Sequence, residues 1–75
     1  MSFQGRSTGD LVRIAEAGGG FRLDAAERPT DDLVRIAGAA SSWGVRLVFA
    51  GMIERSTDDL VRIADAGEGC VEFEG

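Results

Sequence analysis

A short βα-repeat solenoid of the α/β class is predicted by one repetition and two periodicities. The octapeptide TDDLVRIA occurs at Thr30 to Ala37 and again at Thr57 to Ala64, and TGDLVRIA occurs at Thr8 to Ala15. Inside each copy the apolar residues recur with helical spacing, whereas between copies they alternate with polar residues, as in a strand with one apolar face. Together these predict a sequential, parallel four-stranded sheet with three helices on one face.

Each helix is read from its stripe. Leu33, Ile36, Ala37 and Ala40 fall at i, i+3, i+4 and i+7, as do Leu60, Ile63, Ala64 and Gly67, and Leu11, Ile14, Ala15 and Gly18. Thr8, Thr30 and Thr57 precede the stripes and are expected to cap the helices, with Asp10, Asp31, Asp32, Asp58 and Asp59 in the positive first turns. Gly18 and Gly67 stand where left-handed caps would sit, while Gly38 falls inside a longer second helix. Helices of roughly ten residues follow from this spacing.

Three strands are read from alternation: Phe21, Leu23 and Ala25 with Arg22 and Asp24; Val45, Leu47 and Phe49 with Arg46 and Val48; Val71 and Phe73 with Glu72 and Glu74. SFQG, with Phe3 between Ser2 and Gln4, has the phase of a fourth at the N-terminal side. The units then cover about residues 3–20, 21–44 and 45–75 of a single domain, 1–75, with extra residues around Gly38 to Trp43 read as an inserted loop. Strands joined by helices run parallel through right-handed crossovers. A doubly wound sheet would be apolar on both faces, but Ser2, Gln4, Arg22, Asp24, Arg46, Glu72 and Glu74 mark one face as open. TDDLVRIA therefore recurs because each unit needs a like neighbour to bury its stripe.

Composition narrows the function classes. A 75-residue domain buries only about 60% of the surface of its unfolded chain, so its core is thin. The net charge of −5 argues against nucleic acid, whose phosphates are held by Lys and Arg. No apolar run approaches the ~20 residues of a membrane span, and a soluble, cytoplasmic protein is expected, with its one cysteine, Cys70, fitting a reducing compartment.

The unit STDDLVRIADAGEGCVEFEG resembles the short α/β units of leucine-rich-repeat horseshoes, and is more similar to small bacterial repeat proteins with STDxLxRIA helices. Some members of that group are labelled limonene hydroxylase. The resemblance covers nearly the whole chain and implies a fold; the motif carries no catalytic signature. Unlike the leucine-rich horseshoes, the chain has no Asn for an asparagine ladder.

Most of the chemistry-bearing residues have a structural assignment. Arg13, Arg35 and Arg62 form a row that an anion would suit, but each follows an Asp by three or four residues and is assigned to pairing within its own helix. The Asp pairs are assigned to helix starts rather than to calcium. Gly18 to Gly20 follows a helix and precedes a strand, the reverse of a phosphate cradle, and reads as a turn. With no His, Lys or Tyr, the chain offers no nucleophile–base pair, no Schiff-base lysine and no iron triad, and no cofactor is expected. Cys70 has the phase of the open face beside a glycine turn, small buried thiols being the commoner case.

The reading that remains is a non-enzymatic repeat module for protein interaction and self-assembly, a homo-oligomer as a dimer or small ring. Its candidate contacts are Phe3 and Phe73 in the edge strands, Trp43, and Arg22, Arg46 and Glu72 on the open face. Trp43 either caps the neighbouring core or anchors a partner. Two chains would supply eight strands, the number at which small barrels close. The alternative is a small-molecule-binding protein or an enzyme using the open-face carboxylates Asp24, Glu72 and Glu74, limonene hydroxylation included.

Overall fold

The computed structural model describes residues 6–75. Helices and strands alternate: α1 (Thr8–Glu16), β1 (Phe21–Asp24), α2 (Thr30–Trp43), β2 (Leu47–Ala50), α3 (Thr57–Gly67) and β3 (Val71–Phe73). The strands lie in the order β1-β2-β3 and both pairs are parallel. Phe21, Leu47 and Val71 stand in one register row, and Leu23, Phe49 and Phe73 in another. The expected first strand, SFQG with Phe3, lies outside the described residues, so the described sheet has three strands where four were expected.

The alternation decides which face is covered. Phe21, Leu23, Leu47 and Phe49 are buried against the helices, while Arg22, Asp24, Glu72 and Glu74 are exposed on the other side. From the helices come Leu11, Ala15, Leu33, Ile36, Ala37, Ala39, Ala40 and Ile63, and Met52, after β2, belongs to the same core. One helix layer on one sheet results, and the smallest extent of the molecule, 17 Å, is that of two layers.

Three expectations about helix ends are corrected. The N-caps are not the threonines but the residues before them: Ser7 Oγ and Ser56 Oγ accept from the N–H groups of Asp10 and Asp59, each at 3.1 Å. Each serine has the extended backbone that a cap requires, which leaves Thr8, Thr30 and Thr57 as first helical residues. Pro29 caps α2 without a side-chain bond, its fixed φ suiting the entry to a helix.

Gly67, the second correction, is a buried helical residue rather than a left-handed cap; Glu68 (φ 48°) and Gly69 (φ 89°) make that reversal. A Cβ at Gly67 would lie 2.6 Å from Val71 Cγ2, so glycine there lets the end of α3 close on β3. Third, the residues around Gly38 to Trp43 are not an inserted loop but the last turns of a 14-residue α2. Ala39 and Ala40 continue the buried stripe, and Gly44 (φ 67°) ends the helix, with the Val45 N–H returning to the Ala40 carbonyl. Trp43 is thereby carried out to 63% exposure and caps no core.

Candidate functional site

The residues just before each helix form a network that repeats from unit to unit. Arg55 Nη1 donates to Thr30 Oγ1 at 2.8 Å, and Thr30 Oγ1 donates to Asp59 Oδ2 at 3.3 Å. One unit earlier, Arg28 Nη1 donates to Thr8 Oγ1 at 3.3 Å and Thr8 Oγ1 donates to Asp32 Oδ2 at 3.1 Å. Each arginine also reaches backbone: Arg28 Nη2 to the Arg6 carbonyl at 2.6 Å, and Arg55 Nη2 to the Ala25 carbonyl at 2.7 Å and to the Arg28 carbonyl. A planar guanidinium with five donors suits this bridging better than an ammonium. Arg6, Arg28 and Arg55 each stand two residues before a repeated threonine, a regularity that lies just outside the octapeptide.

The helix arginines are used differently from expectation. Arg62 Nη2 pairs with Asp31 Oδ1 of α2 at 2.8 Å, across the helix interface rather than with Asp58 or Asp59 of its own helix. Arg35 holds the same position in α2, but the residue of α1 that corresponds to Asp31 is Gly9, so Arg35 has no carboxylate at the equivalent place opposite it. Gly9→Asp is expected to raise stability by about 0.5–1 kcal/mol, through a cross-helix pair and a negative charge in the first turn. Only Ser7 Oγ, 3.9 Å away, approaches the site of a new Cβ. Urea midpoints would measure the gain, and the part exceeding that of Gly9→Ala should shrink in about 1 M salt, where the screening length is about 3 Å.

Burial separates two sides of the repeated helix. In α2, with a helix on each flank, Leu33, Ile36 and Ala37 are all fully buried. In α1 the leucine and alanine, Leu11 and Ala15, are buried, but Ile14 is half-buried. In α3 the isoleucine, Ile63, is buried, whereas Leu60 is half-buried, Ala64 is exposed and Val61 is 52% exposed. Leucine, valine and alanine thus face the following helix, and isoleucine the preceding one. A recess bounded by Met52, Ile53, Leu60 and Phe73 continues the apolar ledge beside α3, with Ile53 81% exposed.

The open sheet face brings together part of the predicted set. Arg46 Nη1 meets Glu72 Oε1 at 2.9 Å and Arg22 Nη1 meets Glu74 Oε1 at 2.6 Å, with Val48 between Arg22 and Glu72 in the register row. Asp24 Oδ1 accepts from the Ala26 N–H at 3.2 Å in a local turn. Exposed pairs of this kind contribute roughly 0–1 kcal/mol. Phe73 is half-buried at the C-terminal end of β3, while Trp43 stands at the C-terminal end of α2, where the strands begin, so these two are not brought together. Cys70 does not project from the open face: it precedes β3, is half-buried against the core, and is a free thiol. Its carbonyl accepts from the Leu47 N–H at 2.8 Å.

Among the described residues no three Cys, Asp or Glu side chains converge as metal ligands would, and no helix is long and apolar enough to cross a membrane. The chain matches no family model, no curated protein and no solved structure.

Proposed function

We propose that this chain is a non-enzymatic repeat module that acts through protein contact and assembles with copies of itself, its βα units stacking as a one-dimensional solenoid. The observation that supports this reading is the contrast between α2, where Leu33 and Ala37 are fully buried and Val34 is half-buried between two neighbours, and α3, where the equivalent Leu60 is half-buried and Ala64 and Val61 are exposed. An apolar ledge of this kind marks a contact surface. The carboxylates that an acid–base role would need, Glu72 and Glu74, are held in solvent-exposed ion pairs on the open face of the sheet. Closure into a dimer or small ring satisfies every edge, whereas a filament leaves two. Candidate contacts in addition to the ledge are Phe73 and, away from it, Trp43 and Phe3, with Arg22, Arg46 and Glu72 facing the interior of any ring.

Sedimentation velocity across micromolar to millimolar protein tests the reading. The expected result is mass that rises with concentration and then holds at a small integer multiple of the monomer. A monomer throughout would overturn it.

A further inference from the structure

The repeated contact between neighbouring helices has two halves, and the outermost helices each present one of them. Between α2 and α3 the preceding helix supplies Thr30 and Asp31, and the following helix supplies Asp59, which accepts from Thr30, and Arg62, which pairs with Asp31. In α3 the residues equivalent to Thr30 and Asp31 are Thr57 and Asp58, both exposed, with no side-chain partner among the described residues. In α1 the residues equivalent to Asp59 and Arg62 are Asp10 and Arg13, also exposed. Arg13 and Asp10 border a shallow recess whose apolar wall is Ile14, and isoleucine is the residue that faces a preceding helix elsewhere in the chain.

Resting on the reading of this protein as a self-assembling module, we propose that the partner of α3 is α1 of a second copy, joined head to tail by the contact that already joins α2 to α3. Thr57 of one copy donates to Asp10 of the next, and Asp58 pairs with Arg13. Leu60, Val61 and Ala64 close over Ile14. Charge and shape agree: Asp58 of the α3 ledge meets Arg13 in a recess of α1 that Arg6 and Asp10 also line, and each ledge offers the apolar half that the other lacks. The contact is heterologous, so every copy uses both surfaces, one on each side. Isologous pairing of α3 with α3 would instead leave Arg13 and Ile14 of α1 outside the contact and would not reproduce the one that joins α2 to α3.

Charge reversal separates this geometry from other modes of association. Sedimentation of full-length Arg13→Asp and Asp58→Arg, alone, mixed in equal amounts, and combined in one chain, provides the four samples needed. Neither residue makes an ion pair among the described residues, so each variant should lower the urea midpoint only modestly, through the reversed charge in the first turn of α3 or the last turn of α1, and helical circular dichroism identifies any variant that misfolds. Each single variant should associate at least about tenfold more weakly than wild type, because it places two like charges in contact. The mixture and the double variant should recover most of that loss, since the carboxylate introduced at position 13 then meets the guanidinium introduced at position 58. Association of wild type that neither single variant alters would overturn the head-to-tail geometry while leaving self-assembly standing. A wild-type protein that stays monomeric would overturn both.

Discussion

Leu33→Ala should destabilise the protein by about 2–5 kcal/mol, while Arg35→Ala, two residues along the same helix, should change stability by less than about 1 kcal/mol. Leu33 is fully buried at the centre of the helix layer, with α1 on one side and α3 on the other, so the lost side chain leaves a cavity that no single neighbour can fill. A domain of this length is held by only about 4–11 kcal/mol, and a cavity of that size removes a large share of it. Arg35 is exposed, and the α1 residue at the position equivalent to Asp31 is Gly9 rather than an acid. Urea unfolding followed by circular dichroism compares the two directly. Equal losses would mean that Arg35 carries a packing role that its exposure denies.

The second large effect belongs to a residue outside the helices. Arg55→Ala should cost about 2–4 kcal/mol, far more than Arg62→Ala, although both remove a guanidinium from a cross-unit contact. Arg62 and Asp31 are exposed and water replaces either partner when the other is lost. Arg55 is half-buried, and its donors reach Thr30 Oγ1 and the carbonyls of Ala25 and Arg28 in the loop that leads into α2. Without them the Arg28 carbonyl loses this donor and the Ala25 carbonyl keeps only the Arg28 N–H at 3.1 Å, and a group left short of partners is costlier than the net value of its bond. Arg55→Lys should recover only a minor part, because one ammonium cannot span the fork. A loss for Arg55→Ala within about 0.5 kcal/mol of zero would place this network among ordinary surface contacts.

Much of the layer structure is legible in the sequence because it follows from periodicity alone. The spacing of Leu33, Ile36 and Ala37 marks the buried side of the helices, and the alternation around Leu23 and Phe49 marks the covered face of the sheet. Periodicity says less about ends. A threonine next to a serine is ambiguous as a cap, and Ser7 and Ser56 have the extended backbone that decides between them. The residues from Gly38 to Trp43 read as a loop because glycine and two serines interrupt the pattern, yet Ser41 Oγ and Ser42 Oγ bond back to the Gly38 carbonyl and the helix continues.

The contacts between units are the least legible part. Local spacing places Arg62 beside Asp58 and Asp59, but the neighbouring helix brings Asp31 within reach, and tertiary contact overrides the intrahelical choice. Arg28 and Arg55 lie outside the octapeptide, so its repetition alone does not reveal them. Extending each unit a few residues toward the N-terminus, to GRSTGD, ERPTDD and ERSTDD, exposes an Arg and a Thr common to all three. That internal repetition is the available signal, and it also identifies Thr57, Asp58, Asp10 and Arg13 as counterparts of residues that make contacts elsewhere in the fold.

Backbone amide spectra of labelled protein, recorded at two concentrations that bracket association, test most directly where one copy meets another. Concentration-dependent changes should cluster on Thr57, Asp58, Leu60, Val61 and Ala64 of α3 and on Asp10, Arg13 and Ile14 of α1, leaving α2 and the open sheet face unmoved. Changes confined to Arg22, Val48 and Glu72, or to the surroundings of Trp43, would contradict the account and assign the contact to a different surface.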